Sequence, residues 1–235
     1  MKDKNLSSEE LTTNAIALIA HQLRSSLGGI SSASDLLLQG DYGKFSAGVK
    51  EMIQMIKIRS DRMLSLVETS INAARLESGV FDLRPENIDL AHEIKMILAE
   101  LEPLATEKKI RLTAQIVLPS RVFVDREILR NMIFNLTDNA IKYTTRGKVS
   151  VLCRIQGDHL KFEVADTGEG LTAEEKKMLF QRFHRGREKK HKHDGVGLGL
   201  YVVKKMADAA KAQITVQSRG KNKGTTFCVL VPLKI

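Results

Sequence analysis

His21 is the residue of this chain whose setting most favours chemistry. It lies in the run HQLRSSLGGI, residues 21–30, inside a long segment with helical periodicity. At about 100° per residue the apolar positions of this segment form one broad stripe, and His21 points nearly opposite to it. An imidazole on the solvent side of a rigid helix is available for titration, metal ligation or nucleophilic attack, and a surface histidine without a chemical role is the alternative. The apolar positions are Ile16, Ile19, Leu23, Leu27, Ile30, Ala33 and Leu37.

A second group of polar residues lies on one face of a predicted helix that begins near Asp125. Asn135 and Asn139 are one turn apart in NLTDNAIKYT, and Lys142 follows within a further turn. Amide oxygens suit a hard cation, amide nitrogens suit phosphate, and the lysine adds a positive charge. A polar face that contacts only water is the alternative for this motif alone.

Two glycine-rich turns complete the parts of a nucleotide site. DTGEG, residues 166–170, directly follows a predicted strand. Gly168 and Gly170 let the backbone approach a flat ligand, and the Asp166 carboxylate can accept a hydrogen bond from an amino group such as that of adenine. A plain turn is the alternative for this motif alone.

The second glycine run, GVGLGL, opens a predicted helix, where bare amides and the helix N-terminus favour bound phosphate. Its spacing differs from the dinucleotide fingerprint, and the sequence lacks the P-loop pattern, so both common nucleotide folds are disfavoured. The residues of this run are Gly195, Val196, Gly197, Leu198, Gly199 and Leu200.

Basic residues concentrate immediately before that run. Residues 182–193, RFHRGREKKHKH, hold six lysines and arginines against one acidic residue, so the formal net charge of +9 is largely a local feature. We predict a mobile lid whose basic side chains, Arg185 among them, contact phosphates. The histidine spacing and the few nearby acids disfavour a metal site. Phe183 is the one phenylalanine, tyrosine or tryptophan in the run, so aromatic residues do not alternate with the basic ones and we expect no nucleic-acid partner.

Two long helices must position His21. A capping box at Ser7 begins the first, which runs to about Gln39, and Ser46 begins the second, which ends at Gly79. The short turn between them predicts an antiparallel hairpin. A second apolar stripe on the first helix exceeds what one partner helix can cover, so we expect a homodimer that forms a four-helix bundle. That stripe comprises Leu11, Leu18 and Leu36.

After Gly79 strands and helices alternate. The pattern predicts an α+β sandwich, with helices on one face of a mixed sheet. We therefore divide the chain into a helical hairpin at 1–79 and a nucleotide-binding domain at 80–235. The expected elements are a strand and turn at 81–90, helices at 90–109, 125–143, 172–183 and 197–211, and strands at 111–118, 149–155, 160–165, 213–218 and 225–232.

Cysteine usage and hydropathy indicate a cytoplasmic location. Cys153 and Cys228 lie in apolar, strand-like runs and are expected to be core thiols. The longest apolar run near the start, residues 15–20, is far shorter than the ~20 residues of a membrane span. The sequence also shows no secretory signal pattern.

These motifs, in this order, resemble the catalytic core of the sensor histidine kinases of two-component signalling. HQLRSSL is similar to the H-box of that family, NLTDNAIKYT to its N-box, DTGEG to its G1 box, LFQRF to its F-box, GVGLGL to its G2 box, and GTTF to its last glycine-threonine motif. The resemblance extends from about residue 10 to residue 233. It implies an all-α phosphoacceptor and dimerisation hairpin followed by an α+β sandwich that binds ATP.

The resemblance also implies roles for individual residues. His21 is then the phosphoacceptor that attacks the γ-phosphate of ATP, and Asn139 ligates Mg²⁺ with help from Asn135. The phosphoryl group passes to an aspartate on a response-regulator receiver domain. The remaining nucleotide contacts implied are Lys142 to phosphate, Tyr143 along adenine, Asp166 to the adenine amino group, Gly195, Gly197 and Gly199 at the closing lid and helix, and Thr226 in the GTTF motif.

The chain departs from the family pattern beside the histidine. Gln22 stands where most members have glutamate, and an amide cannot take a proton, so autophosphorylation is expected to be slower or to lose its proton through water. Ser25 stands where threonine or asparagine is common, and its hydroxyl can still orient water for phosphatase activity toward the regulator. Ser26 replaces a usual proline. Because sensor and membrane segments are absent from the sequence, we expect the input to come from such segments elsewhere or from a separate partner.

Three other functions remain as alternatives. An ATP-hydrolysing switch like the gyrase and mismatch-repair relatives needs a glutamate where Asn135 stands. A non-catalytic phosphotransfer scaffold needs a broken nucleotide site. A nucleic-acid binder rests on charge alone.

Overall fold

A computed structural model of the chain describes residues 8–40, 42–77, 83–182 and 197–233, with described side chains in the first helix beginning at Gln22. The chain folds as two compact units, Met1–Val80 and Phe81–Ile235. Within the described ranges, no helix combines the length and apolar character that crossing a bilayer requires.

The first unit is a hairpin of two long helices, α1 (Ser8–Gln39) and α2 (Ala47–Glu77). Ser31 hydrogen-bonds Asp61 and Asp35 forms an ion pair with Lys57, so the helices run antiparallel, as predicted. The carbonyl of Ser46 accepts from the Lys50 amide at 3.0 Å and begins α2. The predicted caps Ser7 and Gly79 lie outside the described residues.

Over its described side chains, the seam between α1 and α2 is narrower and more polar than the apolar pattern predicts. The buried side chains among them are Leu27, Ser31 and Ser34 on α1 and Ile53, Ser60 and Ile71 on α2. Leu23 and Ile30, both part of the predicted stripe, have 43% and 45% of their surface exposed to solvent in the single chain. A single helix–helix contact covers only a narrow strip, so the rest of the apolar surface stays exposed.

The second unit is an α+β sandwich, which confirms the predicted fold class. Its large sheet has the strand order β2-β4-β5-β7-β6, with β2 and β4 parallel and the other pairs antiparallel. The elements are β1 Pro85–Ile88, α3 Leu90–Glu107, β2 Ile110–Val117, β3 Val122–Asp125, α4 Arg126–Lys142, β4 Gly147–Gln156, β5 His159–Asp166, α5 Ala173–Met178, α6 Gly199–Ala209, β6 Gln213–Gln217 and β7 Thr226–Pro232.

The core lies between one face of this sheet and the helices α3, α4 and α6. Alternate strand residues are fully buried, as the two-residue side-chain period of a strand requires. Leu160, Phe162 and Val164 of β5 and Phe227 and Val229 of β7 share this covered face. The side chains between them lie on the opposite face and are half-buried.

Two local predictions needed correction. β3 was not expected, and it pairs antiparallel with β1 as a separate two-stranded sheet. The helix expected at 172–183 is the short α5, which begins at the Thr172 capping box but ends at Met178. A strand of four residues and a helix of six both give too little periodicity for a sequence pattern to fix them.

Asp125 ties the beginning of the second unit to α4. Its Oδ1 accepts from the Ile128 amide at 2.9 Å as the N-cap of α4, and its Oδ2 accepts from the Arg84 amide at 2.8 Å. The carboxylate is buried, with 8% of the residue exposed. One side chain therefore fixes both the beginning of the second unit, at Arg84, and the beginning of α4.

Candidate functional site

Asp166, the last residue of β5, has one carboxylate oxygen committed to the fold. Its Oδ1 accepts from the amides of Gly168 at 2.7 Å and Thr225 at 3.2 Å. Among the described residues no group hydrogen-bonds Oδ2. Burial raises the pKa of Asp166, and the two backbone N–H groups partly offset that rise. The residue thus offers a half-buried acceptor, which suits an N–H donor such as an adenine amino group.

The turn after Asp166 packs against the C-terminal end of α4. The Glu169 amide donates to the Tyr143 carbonyl at 3.1 Å. A Cβ on Gly168 would lie 2.2 Å from that same oxygen, so only glycine allows this approach. Gly170 has φ +64°, and a side chain there would meet the Gly220 carbonyl at 2.1 Å. The two predicted glycines therefore have structural reasons to be glycine.

The face of α4 that carries the two asparagines meets the beginning of α6. Asn135 donates its Nδ2 to the Asn131 carbonyl at 2.8 Å. Its Oδ1 lies 3.0 Å from the position of a Cβ on Gly199, and Nδ2 of Asn139 lies 3.9 Å from it. The structure therefore brings the N-box asparagines and the third glycine of GVGLGL together. Amide oxygens in this setting are ligands that suit Mg²⁺.

The last turn of α4 carries Lys142 and Tyr143. The Lys142 ammonium forms an ion pair with Asp138 on the same helix. Tyr143 caps α4 through its amide, which bonds the Asn139 carbonyl at 3.0 Å, and its side chain is exposed. Lys108, which sequence reasoning missed, donates to the carbonyls of Ile141 at 3.0 Å and Lys142 at 2.7 Å.

The described part of the lid region adjoins α6. Gly197 has φ 74°, and Leu198 is the buried N-cap of α6 without a side-chain capping bond. Leu200 lies in the first turn of α6. The guanidinium of Arg182 lies 4.9 Å from the ring centroid of Tyr201, which places the beginning of the predicted lid beside α6. Arg185, Gly195 and Val196, with the histidines of the basic run, lie outside the described residues.

The glycine-threonine motif meets Asp166 through the backbone of Thr225. Thr226 pairs with Ala165 in the β5–β7 ladder, and neither side chain shares the covered face of the sheet. Thr225 is buried and is the residue whose amide reaches Asp166. Because strand side chains alternate, a one-residue difference moves the side chain to the other face of the sheet.

The turn that leads into β7 is hydrogen-bonded to the residues that follow Asp166, a contact that the sequence did not reveal. Ser218 accepts from the Leu171 amide at 2.9 Å and donates to the Gly224 carbonyl at 2.7 Å. The Asn222 amide donates to the Glu169 carbonyl at 2.6 Å. Only the clustered glycines of residues 218–224 mark this turn in the sequence.

His21 lies in α1, and its side chain lies outside the described residues. Gln22 and Ser25, predicted beside it, are exposed on α1. In the described part of the chain, no group of three or more histidine, cysteine, aspartate or glutamate residues is placed to hold a metal.

Two family models match the chain, one on each unit. The His Kinase A (phospho-acceptor) domain matches residues 12–79. The Histidine kinase-, DNA gyrase B-, and HSP90-like ATPase domain matches residues 124–235. The order of the two matches is that of the resemblance drawn from the motifs.

Several known proteins are similar along almost the whole chain. An uncharacterized sensor-like histidine kinase of Rhizobium meliloti is 31% identical over 230 residues, which are 96% of this chain and 44% of that protein. The sensor histidine kinase RcsC of Escherichia coli is 30% identical over 221 residues, 93% of this chain and 23% of RcsC. The chain thus spans less than half the length of these curated relatives.

Solved structures agree with this fold. Full-length ShkA in complex with AMPPNP is 26% identical, with a TM-score of 0.73 over 93% of this chain and 45% of that chain. The histidine kinase AdeS of Acinetobacter baumannii, at 22% identity, has a TM-score of 0.64 over 92% of this chain and 98% of that one, and it supports the fold alone.

The two matched domains are those of histidine kinases, and the relatives that the chain resembles are sensor histidine kinases. The chain belongs to the sensor histidine kinase family and carries the phospho-acceptor and ATPase domains of its catalytic core.

Proposed function

We propose that the chain is an ATP-dependent protein-histidine kinase that phosphorylates itself on His21 and passes the phosphoryl group to an aspartate of a response-regulator receiver domain. We take 1–79 as the dimerisation and phosphoacceptor domain and 80–235 as the ATP-binding domain. One observation carries the proposal: the N-box face of α4, the Asp166 turn and Gly199 converge within the second unit of a phospho-acceptor protein.

The residues of the second unit fit ATP. The Oδ2 atom of Asp166 receives the adenine amino group, while Gly168 and Gly170 keep the turn flat enough for the ring, along which Tyr143 lies. Lys142 contacts a phosphate as a point charge. Gly197 and Gly199 leave the backbone amides at the start of α6 open to the phosphates.

The amide oxygens of Asn139 and Asn135 are suited to hold Mg²⁺. Asn135 already commits its nitrogen to Asn131, so its oxygen is the end that remains for a cation. The bound ion supplies charge neutralisation on the phosphates. Three predicted contacts, Arg185, Gly195 and Val196, belong to this same proposal.

The phosphoryl step places the imidazole of His21 in line with the γ-phosphorus. A nitrogen–phosphorus bond forms while the bond from phosphorus to the ADP oxygen breaks, and ADP leaves with that electron pair. Gln22 cannot accept the imidazole proton, so the proton leaves to water. The hydroxyl of Ser25, one turn further along α1, is positioned by sequence to orient water for dephosphorylation of the regulator.

Exposed apolar side chains on the hairpin support a homodimer. Both helices leave large apolar side chains in contact with solvent, more than a stable monomeric hairpin would leave uncovered. A second copy that completes a four-helix bundle would cover them. They are Leu23, Ile30, Leu36, Val49, Met52, Met55, Ile56, Ile58 and Met63.

An ATP-hydrolysing switch is the second candidate from the same fold. That reaction needs a carboxylate one turn before the metal-binding asparagine to deprotonate water. Asn135 occupies this position, and an amide cannot act as that base. These observations favour phosphoryl transfer to a side chain.

The experiment that tests the proposal is incubation of the chain with γ-labelled ATP and Mg²⁺. Label that is acid-labile, base-stable and lost in His21→Ala is the expected result. His92→Ala, an exposed histidine of α3, is the matched control and should label normally. Steady release of phosphate without labelled protein would favour the hydrolase instead.

A further inference from the structure

A cluster of charged side chains lies behind the lysine proposed to contact phosphate. Lys142 is ion-paired with Asp138, whose side chain is only 15% exposed against 41% for the lysine. Lys108, at the C-terminal end of α3, holds the last carbonyls of α4 with its ammonium. Burial lowers the pKa of Lys108, and the nearby charges of Asp138 and Glu169 act in the opposite direction.

These contacts put Lys142 in competition between two anions. Its ammonium cannot hold Asp138 and a nucleotide phosphate at full strength at the same time. If it turns to the phosphate, the mostly buried Asp138 carboxylate loses its bonded partner. An uncompensated buried charge is strongly unfavourable, so Asp138 alone would retain Lys142 and oppose phosphate binding.

Lys108 removes this conflict without moving. Two carbonyl bonds fix its ammonium at the negative end of the α4 dipole, where a cation is already favoured. Its charge interacts with that of Asp138 through space, and the two carbonyl bonds that hold it do not involve the Lys142 ammonium. The cluster therefore contains one exposed lysine, Lys142, and one anchored lysine, Lys108, beside the mostly buried carboxylate of Asp138 and near the charge of Glu169.

We propose that Lys108 is a positioning residue for phosphate binding: it keeps Asp138 charge-balanced, so that Lys142 is released to the nucleotide phosphate. This inference rests on the proposed ATP site. It adds Lys108 and Asp138, neither of which belongs to the residues predicted to touch the nucleotide.

The test compares affinities for ATP with Mg²⁺ and for adenosine, which has no phosphate, by displacement of a fluorescent nucleotide from the full chain. Lys108→Met should weaken ATP by about tenfold, because Lys142 stays with Asp138, and should leave adenosine within about twofold. Lys95→Met, an exposed lysine on the same helix, is the control and should change neither affinity.

A second substitution separates electrostatics from helix capping. Asp138→Asn removes the charge that retains Lys142, so adding it to Lys108→Met should restore ATP affinity, although the carbonyl bonds of Lys108 remain lost. Unchanged ATP affinity in Lys108→Met, equal weakening of ATP and adenosine, or no restoration in the double variant would each overturn the role of Lys108. Failure of the unsubstituted chain to bind ATP would overturn the proposed function as well.

Discussion

Replacing Asp166 by asparagine separates nucleotide recognition from folding. The carboxamide oxygen can still accept from the amides of Gly168 and Thr225, which occupy Oδ1 in the structure. The new NH₂ group takes the place of Oδ2 and cannot accept from the adenine amino group. Asp166→Asn therefore keeps the bonds that shape the turn and loses the one proposed for the ligand.

The size of the effect follows from the type of bond removed. The substitution loses a hydrogen bond to a charged acceptor and places two N–H donors against each other. This should cost about 2–3 kcal/mol of binding free energy, so the Kd for ATP should rise by about 30- to 150-fold. Stability should not fall, because burial raises the pKa of Asp166 and thus disfavours the ionised form in the folded chain. Removing that charge is expected to leave the free energy of unfolding equal or slightly higher.

Calorimetric titration with ATP and with inosine triphosphate measures both parts. Inosine has an acceptor oxygen where adenine has its amino group, so the carboxamide NH₂ can donate to it. The preference of the chain for ATP over inosine triphosphate should therefore shrink by at least about tenfold in Asp166→Asn. Asp158→Asn, an exposed aspartate, is the control. Unchanged ATP affinity, an unchanged preference, or a loss of binding matched by a loss of stability would refute the reasoning.

Three further predictions use the same structure. Asp125→Ala removes the two hydrogen bonds that the buried Asp125 carboxylate accepts and should lower the free energy of unfolding by about 2 kcal/mol, as measured by urea unfolding. Asp89→Ala, at the exposed cap of α3, should lower it by less. Gly168→Ala, whose Cβ would lie 2.2 Å from the Tyr143 carbonyl, should weaken ATP at least about tenfold by titration, whereas Gly48→Ala meets nothing within 4 Å and should not. The raised pKa of Asp166 means that its carboxylate is protonated at a higher pH in the folded chain than in the unfolded chain. The increase in unfolding free energy caused by Asp166→Asn should therefore be full above the folded-state pKa and should shrink as pH falls toward 3.8. An increase that grows in acid would contradict this sign.

The sequence predicted those parts of the fold that depend on local pattern. The two long helices and the alternating strands follow from periodicity within a few residues. The aspartate and glycines of DTGEG could likewise be singled out, because a carboxylate at a strand end and two glycines are local features.

The parts that the sequence left undetermined depend on contacts between distant segments. Lys108 reaches carbonyls more than thirty residues away, which only the packing of α3 on α4 brings near. The Thr225 amide bonds Asp166 because strand pairing sets the register there. The polar seam at Ser31 and Ser34 likewise depends on which strip of α1 meets α2.

Locating the transferred phosphate tests the central claim most directly. After incubation with ATP and Mg²⁺, trypsin should release residues 5–24, a peptide with a single histidine, His21, beside several hydroxyl residues. Mass spectrometry under neutral to alkaline conditions should find one phosphoryl group on the imidazole of His21, and none after Asp166→Asn at low ATP. An unmodified peptide alongside released phosphate, or a phosphate on any other residue, would contradict the account.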